Sequence, residues 1–228
     1  MPVENGVGYS EYTPLKEQYF RALLAMHMNI CKGVMKRQYV EKRYYYFDIN
    51  AGPGNYTGID GLPITGSPLL FLETVEGKAM PYRAVFIEQE PASCASLRAG
   101  VGARPSVEVR EGDHAVILPE YFDVRGLKRL GMVYTDPTGS VPPFDLLAQM
   151  SLIDAYYMLD TCISCPAATV KRVRHLTNRC LLDHLKHINK KAWIVREPYG
   201  KHQWTFLLGS NWLDYPAYTA AGFHHVTS

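Results

Sequence analysis

The chain has 228 residues, 47% of them hydrophobic, and its 24 Lys and Arg against 22 Asp and Glu leave a formal charge of +2. That size and apolar share specify one sizeable domain with a full core. No run approaches the roughly 18 apolar residues of a membrane span, and MPVENGVGYSEYT lacks the basic-then-apolar pattern of a signal peptide. Five cysteines, an odd number at irregular spacing, argue against a disulfide framework and for a reducing cytoplasm.

Residues 1–12 read as a loose lead-in. Thr13-Pro14 then has N-cap chemistry with proline at the first helical position. Leu15, Tyr19, Leu23, Met26 and Ile30 recur at helical spacing up to Gly33, which predicts an amphipathic helix. Met26, Met28 and Met35 read as core filling. The aromatic run Tyr44-Tyr45-Tyr46-Phe47 is a first strand, entering Asp48-Ile49-Asn50-Ala51-Gly52-Pro53-Gly54. Ser67-Pro68 repeats the cap-and-proline signal and starts a helix toward Gly77. Tyr82 to Glu88 is a second strand, Pro91 opens a helix to Gly100, and Val107 to Glu111 is a third strand before Gly112-Asp113-His114. Residues 130–135 form a fourth strand delivering Asp136-Pro137-Thr138-Gly139, and Pro143 starts another helix.

Residues 155–163 read as a fifth strand and 167–189 as one long basic helix. Residues 192–196 and 204–209 are two final strands, and their short connection, Glu197 to His202, allows only an antiparallel pair. The predicted fold is α/β: a Rossmann-like, doubly wound, mostly parallel seven-stranded sheet with an antiparallel last strand. It forms a single domain, with residues 1–43 as a helical lead-in, 44–210 as the core and 211–228 as a tail.

An apolar strand entering an acid and a Gly-x-Gly turn reads as the opening of a nucleotide site, because glycines let the backbone approach a ligand. A dinucleotide fingerprint needs a third glycine at position 57, which is Thr57. Gly58, Gly61 and Pro63 also keep a helix from starting at once, so no helix N-terminus stands ready for a pyrophosphate. A cofactor with an adenosine and no phosphates fits better, and S-adenosylmethionine is the obvious one. The alternative is an ordinary glycine turn after a buried strand. Glu88 stands where a carboxylate accepts two ribose hydroxyls, and Asp113 where one accepts the amine of adenine. Four successive strands thus end in polar residues at the edge where open α/β sheets bind ligands.

Other signals carry rival readings. Between Lys171 and Lys201 stand nine Lys and Arg against Asp183 and Glu197, which suits a phosphate backbone or a solvated helix face. Cys162 and Cys165 form a lone C-x-x-C and read as half-buried thiols. Cys180, His184 and His187 share a helical face but read as decoration, so no metal site is expected. Trp193, Trp204, Trp212 and Tyr199 suit either base stacking or an ordinary core.

With these residues laid out, the chain resembles the class I S-adenosylmethionine-dependent methyltransferases. More narrowly it resembles the three-Cys-motif partner family, through Tyr46 to Gly54 (YFDINAGPG), Thr65-Gly66-Ser67-Pro68 and Asp136-Pro137-Thr138-Gly139. It is similar, more distantly, to the bacterial large-subunit ribosomal RNA adenine-N6 methyltransferase, in a helical lysine, an AGxG loop, a GSP and a fourth-strand Asp-Pro. The resemblance spans residues 12–210.

It implies that Asn50 and the backbone around Gly52 line the methionine part of the cofactor, with Asp48, Ala51 and Gly54 also among the cofactor-binding residues. Ser67 would cap its helix and reach the cofactor, Glu88 would hold the ribose, and Asp113 with His114 the adenine. Asp136, Pro137 and Thr138 would lie where the methyl meets its acceptor, with Lys16 near them. Amino-methylating enzymes carry proline and an aromatic where this chain has Thr138 and Gly139. The aromatic that stacks on the target base is therefore missing from the motif, and Phe144 or an aromatic from 199–204 is the candidate replacement.

The implied function is methyl transfer to a nucleic acid, at adenine N6 of DNA or RNA, through the basic 171–201 segment. No target-recognition domain is visible, so specificity is either relaxed or delegated to a protein partner. A cofactor-binding partner protein without catalysis and a small-molecule methyltransferase are the alternatives.

Overall fold

A parallel sheet covered on both faces needs strands that are apolar on both faces, and the first strand has that character. In β1 (Val40–Asp48) the last five residues are all buried. Tyr44 and Tyr46 belong to one core and Tyr45 and Phe47 to the other, the two-residue alternation of a strand. A computed structural model describes residues 13–58, 61–122, 128–196, 206–212, 218–219 and 222–226. The connection holding Tyr199 and Trp204 lies outside the described residues, as do residues 1–12.

Chain order runs α1 (Thr13–Val34), β1, β2 (Asn55–Thr57), β3 (Pro63–Thr65), α2 (Ser67–Gly77), β4 (Tyr82–Glu88), α3 (Pro91–Val101), β5 (Val107–Glu111) and α4 (His114–Ile117). It continues through β6 (Lys128–Thr135), α5 (Phe144–Ser151), β7 (Leu159–Ser164), α6 (Ala167–Thr177), α7 (Leu181–Leu185), β8 (Ala192–Arg196), β9 (Phe206–Ser210) and β10 (Phe223–His225). The main sheet has eight strands in the order β10-β8-β9-β7-β6-β1-β4-β5. The strands from β5 to β7 pair in parallel, and β9 runs antiparallel to β7 and β8. The expected reversed strand is therefore β9. An eighth strand, β10, comes from residues expected as a tail and pairs antiparallel with β8.

One face of the sheet is covered by α1, α2 and α3, where Tyr46 stacks on Phe71 with centroids 4.1 Å apart. The other carries α4, α5, α6 and α7. β1 and β6 approach closely. Gly131 lies opposite Tyr45, and a Cβ there would come within 1.8 Å of the Tyr45 carbonyl oxygen.

Two expectations change. The fifth strand starts at Leu159, because Asp154–Tyr156 close a 3-10 turn first. The long helix over 167–189 is two helices. Asn178 adopts the left-handed conformation (φ 54°, ψ 26°) that asparagine tolerates, which ends α6. Cys180 and Asp183 then cap α7 reciprocally, and the Cys180 N–H donates to Asp183 Oδ2 at 3.2 Å. Among the described residues no helix is long and apolar enough to cross a membrane. All five cysteines are free thiols.

A buried polar lock fastens α1 to the sheet. His27 Nε2 lies 2.9 Å from Asp160 Oδ2 of β7, and His27 Nδ1 lies 2.6 Å from the Tyr44 hydroxyl of β1. All three side chains are wholly buried. With its proton on Nε2 the ring donates to the carboxylate and accepts from the phenol, so one tautomer satisfies both bonds. His27→Ala strands a buried carboxylate and a buried hydroxyl, and should cost about 3 kcal/mol of unfolding free energy. Tyr44→Phe should cost about 1 kcal/mol. Urea unfolding measures both, and an unchanged midpoint in His27→Ala would remove the lock from the account of stability.

Candidate functional site

Parallel strands deliver their ligand-facing groups at their C-terminal ends, and the crevice opens where the chain leaves neighbouring strands in opposite directions. Here that point lies between β1, which continues toward β4 and β5, and β6, which continues toward β7. A cavity of about 420 Å³ stands there.

The turn after β1 forms one wall. Gly52 (φ 65°) and Gly54 (φ 83°) take conformations that favour glycine. The hairpin β2–β3 then separates this turn from α2. Its two ends meet where the Gly66 N–H donates to the Gly54 carbonyl at 2.6 Å, and a Cβ at Gly66 would come within 2.7 Å of that oxygen. The site glycines thus serve two ends: Gly52 opens backbone to the cavity, and Gly66 closes the hairpin.

Glu88, at the end of β4, faces the same turn. Its Oε2 accepts the Gly52 N–H at 2.7 Å and its Oε1 accepts the Glu90 N–H at 2.8 Å. At the end of β6 the Thr135 hydroxyl donates to Asn50 Oδ1 at 2.6 Å. Asp136 follows directly and pairs with the ammonium of Lys16, 120 residues away on α1. Each of these two side chains is about one-fifth exposed, so the pair is partly desolvated inside the cavity.

Lys16, Asn50, Ala51, Gly52, Gly54, Ser67, Glu88, His114, Asp136, Pro137 and Thr138 all line the cavity. Two expected residues do not. Asp48 is wholly buried behind the wall, where it accepts hydrogen bonds from the Tyr46 hydroxyl and the Asn50 N–H, both at 3.3 Å, and from Ser67. It supports the lining and does not belong to it. Burial pushes its carboxyl up to about 7, against the bonds from Ser67 and Asn50 that favour the charge. Asp113 is exposed and caps α4, accepting the Ala115 N–H at 2.8 Å, while its neighbour His114 reaches the lining. Burial lowers the pKa of His114.

Ser67 needs correction too. The cap of α2 is Gly66, and Ser67 is the first helical residue, its hydroxyl turned to Asp48. Glu17, Phe20, Tyr56 and Ser140 also line the cavity and were not singled out from sequence. For the first two, the signal was a helical neighbour of Lys16 and the residue one turn on.

The rival clusters resolve into structure. Phe144 is buried and stacked on His184, with centroids 4.3 Å apart, so it cannot replace the missing aromatic. His184 bonds the Thr177 hydroxyl at 2.9 Å, and among the described residues no three ligating side chains gather for a metal. Cys162 and Cys165 are buried, more deeply than expected, and burial pushes the Cys165 thiol up to about 12. Trp193 packs over Gly209, and the Trp212 indole donates to the Met158 carbonyl at 2.6 Å.

The basic segment is only partly a surface. Lys190 is buried, donating to the Leu159 carbonyl at 2.6 Å, and burial pulls its amine down to about 8. Lys171, Arg174, Arg179, Lys186 and Lys191 remain exposed. Arg172 donates to the Ser140 carbonyl at 3.0 Å, which ties α6 to the loop forming the cavity wall.

No model of a known protein family and no curated protein matches the sequence. The fold is similar to that of a probable spermidine synthase from Corynebacterium glutamicum ATCC 13032 (TM-score 0.57, 11% identity, 91% of this chain and 74% of that one). It is similar as well to protein LPL1258 from Legionella pneumophila str. Philadelphia 1 (0.55, 13%, 86% and 87%). A third is the precorrin-6y C5,15-methyltransferase from Geobacter metallireducens GS-15 (0.50, 11%, 94% and 94%). At these identities the likeness is one of fold. The chain has the Rossmann-like α/β fold of the methyltransferase type, with antiparallel strands at one end of a mostly parallel sheet.

Asp48 gives the site a pH signature. The folded protein keeps the proton up to about 7, while the unfolded chain releases it near 3.8. Stability is therefore lost as pH rises through that window and levels off above it. Asp48→Asn should abolish this slope, gaining on the wild type by on the order of 2–4 kcal/mol between pH 4 and pH 8. Urea unfolding across that range checks it, and parallel curves for the two proteins would refute it.

Proposed function

We propose that the protein is an S-adenosylmethionine-dependent methyltransferase acting on the exocyclic amine of a nucleic-acid base, adenine N6 of DNA or RNA. The observation that carries this reading is Asp136-Pro137 at the end of β6, in one cavity with the glycine turn and Glu88. The lining suits the cofactor. A Cβ added at Gly52 would meet nothing within 4 Å, so the backbone there faces open space, and Glu88 keeps free lone pairs beside it. Bound there, S-adenosylmethionine supplies a methyl already activated on a sulfonium.

The chain's own residues then have positioning to do. Glu88 accepts ribose hydroxyls, and His114 borders the adenine. Asp136 and the Pro137 carbonyl accept the N–H bonds of the acceptor amine, which turns its lone pair toward the methyl. Alignment of this kind supplies several kcal/mol without a strong base. The Lys16 ammonium balances the Asp136 charge in a partly desolvated site.

The nucleic-acid part rests on the exposed cations Lys171 and Arg174 of α6, Arg179 after it, and Lys186 and Lys191 after α7, with Arg172 tying α6 to the Ser140 loop. The resemblance to the three-Cys-motif partner family and to the ribosomal adenine-N6 enzyme supports it, while the precorrin methyltransferase among the structural neighbours shares the fold alone. Target choice would fall to a protein partner. We assign the reaction to the cytoplasm, since five free thiols suit a reducing compartment. A second reading, a cofactor-binding partner protein without catalysis, draws on Thr138 and Gly139 standing where an active motif carries proline and an aromatic.

Labelled methyl transfer to mixed single- and double-stranded DNA and RNA, with nucleoside mass spectrometry, tests the proposal. N6-methyladenine is the expected product. Cofactor binding without incorporation would favour the non-catalytic reading. Asp136→Ala should cut transfer by about 100-fold or more while leaving cofactor binding in place. Wild-type turnover in that variant would remove Asp136 from the mechanism. Affinity for the polymer should fall steeply with salt, and a flat salt response would point to a small-molecule acceptor.

A further inference from the structure

A planar acceptor held at one edge, by Asp136 and the Pro137 carbonyl, can still tilt about those bonds. A ring against its face removes that freedom, and base-on-aromatic stacking contributes about 1–3 kcal/mol. The fourth-strand motif offers no ring, and Phe144 is committed to His184 in the core. Among the described residues, Phe20, Tyr56 and Tyr134 bring phenyl or phenol rings to the cavity wall. Phe20 and Tyr134 are buried against each other, their centroids 4.4 Å apart. Tyr56 keeps exposed surface.

Its position is fixed by structure and not by a loose loop. Tyr56 sits in β2 opposite Ile64 of β3, and Ile64 is buried. The next residue, Thr65, donates its N–H to Glu17 Oε1 at 3.3 Å. Glu17 adjoins Lys16, which pairs with Asp136. The Gly66–Gly54 hydrogen bond closes the base of the hairpin. These links tie the hairpin to the turn of α1 that carries Lys16, and Tyr56 lines the cavity with part of its surface exposed.

We propose that Tyr56 is the stacking surface for the base whose amine Asp136 receives, the role that Thr138-Gly139 leaves unfilled. This assignment rests on the reading of the site as an amino-methyltransferase of nucleic acid, and it makes Tyr56 a specificity residue for an unstacked base. It also gives the hairpin between the glycine turn and α2 a purpose.

The test is equilibrium binding in the presence of S-adenosylhomocysteine. The probes are short single-stranded pyrimidine oligomers of DNA and RNA, each with one central adenine or one abasic site. Wild type and Tyr56→Phe should prefer the adenine oligomer by about 10-fold, and Tyr56→Ala should lose that preference. S-adenosylhomocysteine should bind all three proteins alike. Fold damage alone would not track the presence of the base. Tyr56→Ala keeping the adenine preference overturns the proposal, and so does a wild type that has none. Loss of S-adenosylhomocysteine binding in Tyr56→Ala also overturns it, making Tyr56 a wall of the cofactor site. Methyl transfer measured on the same preparations keeps the two readings apart. Transfer together with a preference indifferent to Tyr56 sinks the stacking role alone. A Tyr56-dependent preference without transfer sinks the chemistry alone.

Discussion

β1 and β6 lie side by side in the middle of the sheet, and the chain leaves them in opposite directions. Everything at the site depends on that pairing. It is close enough that Gly131 admits no side chain against the Tyr45 carbonyl, and its register sets Asp48 beside Tyr134. Two polar sequences far apart in the chain, the glycine turn and Asp136-Pro137, then face one crevice that no crossover helix fills. The Thr135–Asn50 hydrogen bond ties the two strand ends together at the rim.

α1 belongs to the core and to the site at once. Phe20, Leu24 and Met28 pack onto the sheet, and His27 joins Asp160 and Tyr44 in the interior. The first turns of the same helix present Lys16 and Glu17 to the cavity. A buried polar lock has directional bonds, which apolar packing lacks, so it fixes how the helix is rotated and how far it is slid. That rotation decides whether Lys16 reaches Asp136. The wall of the site is thus held by packing farther along the same helix.

Charge is handled in a graded way around the cavity. Asp136 is partly open and balanced by Lys16, whereas Asp48 is sealed and pushed up to about 7 by burial. Two carboxyls near each other in space thus experience different surroundings, one suited to a charged acceptor and one to holding Ser67 and the Asn50 amide. The same burial removes Lys190 from the basic surface and silences Cys162 and Cys165 as nucleophiles. What remains outside is a set of cations on α6 and in the segments flanking α7, with α6 tied to the cavity rim by Arg172.

The strand-and-helix alternation, the reversed β9 and the residues delivered at the ends of β1, β4 and β6 were legible along the chain. These follow from local signals: apolar runs, proline and glycine punctuation, and a connection too short for a crossover. The chain gave no sign that Ser67 would turn from its helix cap to Asp48, since a cap and a first helical residue differ by one position. The break at Asn178 was also hidden, because a left-handed asparagine and a cysteine cap leave helical periodicity intact on either side. Which side of the wall Asp48, Asp113, Lys190 and Phe144 would occupy was decided by tertiary packing. Burial depends on what the rest of the chain places over a residue, and no window of neighbouring residues contains that. Lys16 near Asp136 was implied by the family resemblance alone, and Tyr56 in the same cavity by no local signal: long-range proximity is a property of the folded sheet and its covering helix, not of spacing along the chain.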